Sequence, residues 1–319
     1  FNSSESSAPI VLQKERVLKG KILLNYGITK TNFYSAWIFI FYLGLIGVSF
    51  STLEPSYIVK QFHIPEGDIG KMTAWLYLMD YTVRLMFALL YGPMIDYFGR
   101  KFVMGIGITL TSVGYFLIPI FNSSLYSGYF LAKAFISCGV IALQMLPFSA
   151  DYVDNSTKGL MTGINYGMAF FGASSGAVFL RTLISIGLSF RWIYWIFGMI
   201  IFSLGFILRI GIKGGNTYYK KNQSPSQNGK EAALSYQFKE AIRAYREIPW
   251  VSMGLIFGIL GNTDFYIITT GLVIWIRSML ESGEEATAIA TIFQAIFFGL
   301  SFLVTVVLSL RIDKTSHLK

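Results

Sequence analysis

Long apolar runs separated by short polar breaks make up most of the chain, and their lengths set its architecture. Runs over about 33–59, 69–95, 102–121 and 125–150 are followed by one carrying Gly163 to Gly176 and one ending near Ile212; two more cover about 250–280 and 286–310. A bilayer core takes about 20 residues of helix, so each run predicts one span and the whole predicts an all-α polytopic membrane protein. Within helix 1, Glu54-Pro55 predicts a late break, and Asp68 is placed to cap helix 2. Helix 5 carries Gly163, Gly167, Gly172 and Gly176, a ladder that permits tight backbone packing. Between 213 and 229 the pattern is lost to Gly, Asn, Gln, Ser and Lys, as in a flexible linker. Residues 230–248 then put Leu234, Phe238, Ala241, Ile242 and Tyr245 on one face, which predicts an amphipathic helix on the membrane surface. Four regions follow: a basic tail (1–32), six spans (33–212), a linker with its surface helix (213–249), and two further spans (250–319).

Composition agrees with this pattern and removes other classes. With 54% apolar and 13% charged residues and a mean hydropathy of +0.55, the chain is too apolar for a soluble domain. A net charge of +9 raises the question of nucleic acid. Most cations fall in the tail, the 92–101 turn, the 158 region, the linker and the C-terminal end, which is the asymmetry that membrane topology requires. Those segments therefore face the cytoplasm, or the matrix in a mitochondrial membrane, and no nucleic-acid partner is implied. The single cysteine, Cys138, lies in an apolar run, and His63 has no companions with ligand spacing, so neither a disulfide framework nor a metal or cofactor site is read.

Between the second and third runs stands Gly92-Pro93-Met94-Ile95-Asp96-Tyr97-Phe98-Gly99-Arg100-Lys101, a reverse turn with Asp96 near the start of the next helix and two cations beyond Gly99. The stretch resembles the signature of the major facilitator superfamily: Gly, three residues, Asp, a basic residue, one residue, Gly and two basic residues. Tyr97 replaces the first basic residue. Lys133, Ser137 and Gly139 stand where the family has an arginine followed by small residues in helix 4, and Asp151 to Gly159 resembles its turn between helices 4 and 5. Ala177 and Val178 occupy the place of the proline and paired glycines of many antiporters, which argues against that subgroup. Asp313 and Lys314 echo the Asp96 turn about half a family length downstream, as a duplicated six-helix unit requires. The resemblance implies two six-helix bundles, with Gly92, Asp96, Gly99, Arg100, Lys101, Asp313 and Lys314 acting as a conformational latch. It covers the first bundle, the linker and two helices of the second, so four further helices beyond Lys319, or neighbouring membrane subunits, are expected to cover helices 7 and 8.

Charges inside the bilayer are costly unless paired or hydrated and are therefore the functional candidates. Asp80 and Arg84 sit one helical turn apart, acid first, as a pair on one helix. Lys133 and Asp264 have no partner on their own helices. At roughly 1.5 Å per residue all four fall near mid-membrane and are expected to line one cavity. Burial also makes Asp264 a candidate for reversible protonation. Arg181 lies near the outer end of helix 5, where its long side chain snorkels to the interface. Two functions fit: a non-enzymatic secondary transporter moving a small solute by alternating access, or a transporter-like accessory subunit of a larger, for example mitochondrial, membrane complex. The cationic excess among these groups modestly favours an anionic solute. A neutral, sugar-like solute would instead use hydrogen bonds from Gln144, Asn165, Gln294 and the tyrosines.

Overall fold

The computed structural model describes residues 16–18, 21–25, 27–121, 124–144, 151–213, 243, 246–247, 249, 253, 265–280 and 283–315. Among them the chain forms eight α-helices: α1 (Lys30–Phe62), α2 (Ile69–Phe98), α3 (Arg100–Leu117), α4 (Phe130–Gln144), α5 (Lys158–Ser185), α6 (Phe190–Gly211), α7 (Leu272–Arg277) and α8 (Gly283–Thr315). A π-type turn precedes α4 at Leu125–Tyr129 and another precedes α7 at Ile267–Gly271. Five helical stretches are long and apolar enough to cross a membrane: α1, Leu125–Gln144, α5, α6 and Gly283–Ser309 of α8.

Helix α1 is the axis of the assembly, packing on α5, α6, α7 and α8. The break expected at Glu54-Pro55 does not occur, because α1 runs through Pro55 to Phe62. Proline has no N–H to give the carbonyl four residues back. That carbonyl, on Ser51, instead accepts from the Thr270 hydroxyl at 3.2 Å, so the π-type turn before α7 supplies the bond that α1 lacks. The turn between α2 and α3 is also tighter than expected. Helix α2 continues to Phe98 and the reversal rests on Gly99 alone, whose φ of 90° suits a residue without Cβ. Asp68 stands at the N-cap of α2 but makes no capping hydrogen bond, being part of a short 3-10 turn.

The glycine ladder of α5 serves two neighbours. A Cβ at Gly172 or Gly176 would strike the α1 backbone at Phe41 and Leu45, whereas Gly163 and Gly167 face Ser309 and Val306 of α8. Close approach of this kind is how membrane helices associate, by van der Waals contact rather than by expulsion of water. The half of the first six helices away from the α2–α3 turn is filled by rings, with Tyr57 against Tyr194 at 4.8 Å and Tyr129 at 5.6 Å, and Tyr115 against Phe50 and Phe197.

The segment before α1, expected as a polar tail, is partly folded. Strands β1 (Arg16–Val17) and β2 (Ile22–Leu23) pair antiparallel, and Leu24 bridges to Val153 in the α4–α5 connection. Val17, Ile22 and Leu24 are buried in the main core beside Tyr152, Val153, Leu160 and Ile212. Of the linker and surface helix, most positions lie outside the described residues; Arg243 and Glu247 form an exposed pair one turn apart.

Candidate functional site

Three groups of polar side chains are brought together at different depths. The deepest joins α1 to α4. Lys133 donates to Glu54, with side chains 2% and 0% exposed, and Tyr129 donates to the same oxygen, Oε1, at 2.7 Å. The ammonium of Lys133 also lies 4.8 Å from the centre of the Tyr77 ring and 5.6 Å from that of Phe50, faces that attract a cation. The second oxygen, Oε2, is buried and makes no hydrogen bond to any described residue. Two charges inside a helix bundle survive only as such a pair.

The second group faces a cavity. Arg84 and Asp80 pair along α2 as their spacing predicts, Nε to Oδ1 at 2.9 Å and a terminal nitrogen to Oδ2 at 2.8 Å. Arg84 lines a cavity of about 570 Å³, together with Ser51, Tyr115, Gln144, Thr162, Asn165 and Tyr166, and with apolar residues that include Phe50, Phe170 and Phe265. The lining spans the middle of α1 from Ile40 to Ser51, the end of α4 at Gln144 and α5 from Thr162 to Ala173, so the cavity reaches from mid-bundle toward the end that carries the hairpin. Of the four charged residues expected to share one cavity, Arg84 lines it. Lys133 does not, because its ammonium points away into the Glu54 pair. Asp264 lies outside the described residues.

The third group links the first six helices to α7 and α8. Tyr77 of α2 and Thr270 share a hydrogen bond at 2.6 Å. Gln294 of α8 accepts from Thr52 at 2.7 Å and donates to the carbonyls of Ile268 and Thr269. Gln294, named as a donor to solute, is thus occupied in holding α1, α8 and the π-type turn before α7 together. Toward the end away from the hairpin Ser56 meets Thr287 at 2.6 Å. At the surface Arg277 clamps Glu66 with bonds of 2.7 and 2.9 Å, and Lys60 pairs with Glu284. The Arg277 bonds hold the Glu66 carboxyl below its ordinary range.

At the opposite end Arg100 pairs with Asp151, and Lys101 donates to the Arg209 carbonyl at 2.8 Å. Gly92 lies within α2 with open space where a Cβ would stand. Asp96 is in the last turns of α2, and Asp313 and Lys314 fall in the last turn of α8 rather than in a turn after it. Sequence reasoning missed Glu54, which it used only as a helix breaker beside Pro55. A carboxylate at that depth was itself a signal, since an intramembrane acid implies a partner.

Comparison with known proteins puts names to this arrangement. The family model described as Major Facilitator Superfamily matches residues 35–318. Among solved structures, one titled as the D-xylose-proton symporter superposes with a TM-score of 0.59 at 14% identity, covering 88% of this chain and 69% of that one. The xylose transporter XylE from E. coli, in a partially occluded inward-open conformation, gives 0.50 at 14% identity over 88% of this chain and 73% of its own. XylE bound to 6-bromo-6-deoxy-D-glucose gives 0.52 at 14% identity over 85% and 68%. A search of curated protein sequences finds no match.

Proposed function

The chain belongs to the Major Facilitator Superfamily, a family of multi-pass membrane transporters of small solutes, and on that footing we propose that it moves a small neutral polar solute by alternating access. One observation carries the choice of solute. At the level of the cavity each described cation has its own carboxylate, Arg84 with Asp80 and Lys133 with Glu54. The cationic excess that would favour an anion is therefore cancelled once Glu54 is counted. What faces the cavity is hydroxyl, amide and aromatic surface from Ser51, Gln144, Thr162, Asn165, Tyr166 and Phe170, which suits a polyol or sugar held by hydrogen bonds and ring contacts. An anionic solute is the second reading, favoured by Arg84 being the charged residue in the described lining. D-xylose is named for the similar transporters; the lining supports the proposal here.

In this reading the Glu66–Arg277 and Lys60–Glu284 pairs close the outer end while the cavity reaches inward. The Gly92, Asp96, Gly99, Arg100 and Lys101 turn, with Asp313 and Lys314, forms the latch of the opposite state. Asp264, the acid of the seventh apolar run, is the candidate for coupling to protons. The exposed apolar face of α8, with Ile296, Leu300, Leu303 and Val307, offers a surface for further helices or a neighbouring subunit.

Counterflow in proteoliposomes tests both parts. Neutral sugars and polyols should exchange and monocarboxylates should not; preference for the anions, abolished by Arg84→Gln, would reverse the choice. Asp264→Asn should abolish accumulation driven by a pH gradient while leaving exchange, and loss of both together would make Asp264 structural or part of the solute site.

A further inference from the structure

Two-residue strands do not persist by their own hydrogen bonds, so the hairpin before α1 needs a reason to be ordered, and its contacts supply one. Ile22 and Leu24 are fully buried, and β2 continues as a ladder onto the connection between α4 and α5. Asp154 N–H donates to the Leu23 carbonyl at 2.9 Å, and Asn25 N–H to that of Tyr152 at 3.0 Å. The Asn25 side chain donates to the Asp151 carbonyl at 2.9 Å. The other side of the segment is tied to the end of α6. Lys213 donates to the Gly27 carbonyl, the Tyr152 hydroxyl both accepts from and donates to the Lys213 backbone, and Asn32 donates to the Gly211 carbonyl at 2.7 Å.

We infer that the described residues before α1, 16–18, 21–25 and 27–28, form a strap that positions the inner end of α5 and thereby sets the width of the cavity's cytoplasmic mouth. Helix α5 starts at Lys158, four residues after the strapped Asp154, and its first turns carry Thr162, Asn165 and Tyr166 of the cavity lining. The strapped connection leads directly into those turns, which pack on α8 through Gly163 and Gly167, while Ala169 meets α1 at Gly44. Asp151 is a junction, because its carboxylate takes Arg100 of the α2–α3 turn while its backbone carbonyl takes Asn25. A shift of the strap is thus passed to the mouth and to that turn together. Ile22, Leu24 and Asn25 act through α5 and are positioning residues.

The inference rests on the cavity being the solute path, but its test reads the mouth and not transport, so either idea can fail alone. In the full chain with Cys138→Ala, single cysteines at Thr162, in the cavity, and at Gln61, at the outer end, are labelled in membranes with an impermeant maleimide applied to the face that its reagent must reach. Asn25→Ala, which removes one side-chain bond to the connection, should speed labelling at Thr162→Cys roughly five-fold and leave Gln61→Cys unchanged. Ile22→Asp with Leu24→Asp, which unseats the strap, should do more. Lys213→Met, which cuts the tie to Gly27, gives a second mild variant and should behave as Asn25→Ala if the double variant fails to fold. An unchanged or slower rate at Thr162→Cys in the mild variants would overturn the strap, and so would equal acceleration at both cysteines, which marks general loosening.

Discussion

Ion pairs at two depths of the molecule join different things. Glu54 and Lys133 are enclosed and lie within the first six helices, tying α1 to α4. Glu66–Arg277 and Lys60–Glu284 stand at the outer surface, with Glu66 62% exposed in its side chain, and tie the α1–α2 region to α7 and α8. Removing one member of a buried pair strands the other charge where water cannot reach it and costs about 3–5 kcal/mol. An exposed pair such as Lys60–Glu284 is worth about 0–1 kcal/mol, because water replaces the lost partner, and in the other pair water still reaches Glu66 although Arg277 is nearly buried. The deep pair therefore fixes the shape of a bundle. The outer pairs can form and part on each turnover, as closure between moving bodies demands.

The largest effect expected from this contrast is at Lys133. Lys133→Ala leaves Glu54 buried with Tyr129 as its remaining donor, and should lower stability by about 3–5 kcal/mol. The double variant Lys133→Met with Glu54→Gln removes both charges and should recover most of that loss. Thermal unfolding in detergent would decide it; a Lys133→Ala protein that melts with the parent would mean that water reaches the pair and that depth does not separate the two classes.

How much of this was visible in the sequence follows from how far apart the partners are. Asp80 and Arg84 were legible as a pair because one helical turn separates them. Lys133 and Glu54 lie on different helices, so neither position announces the other, and the acid was read for its neighbour Pro55 instead. The helix break failed for a similar reason: the hydroxyl that satisfies Ser51 comes from Thr270, more than two hundred positions away. The ladder on α5 was legible as close packing, though not as packing on two partners. The hairpin was not legible, since strands of two residues have no periodicity and are held by a bridge to Val153.

A middle-sized effect sharpens the comparison by showing what holds the scaffold where charge does not. Gly176→Val puts side-chain atoms against the Leu45 backbone of α1, where nothing can move aside without shifting a helix. Overpacking of this kind should cost about 1–3 kcal/mol. Gly92→Ala meets open space and should leave the melting temperature within error of the parent. Equal losses from both would mean that α1 and α5 are not in the close contact described.

The smallest effect is the one with a pH sign. Bonding to Arg277 lowers the Glu66 carboxyl below its ordinary range in the closed arrangement, whereas in the open one Glu66 returns to that range. A group whose pKa is depressed in one state favours that state at pH above its ordinary value, and the benefit fades as pH falls toward the depressed value. Outer closure should therefore be at full strength at neutral pH and weaken on acidification of the outer face alone. Since the titrating Glu66 is itself largely exposed, although Arg277 is nearly buried, the shift in equilibrium should be about 1 kcal/mol, or roughly five-fold in the outward-open population. Glu66→Gln should reproduce the low-pH behaviour at neutral pH and remove its remaining dependence in the same range. Labelling of a cysteine at Thr52, which lies beneath these pairs on α1, would read it. A Glu66→Gln protein whose labelling still climbs on acidification by as much as the parent would show that another group controls the outer end, and the exposed pairs would then be ornaments of the closed state and not its fastening.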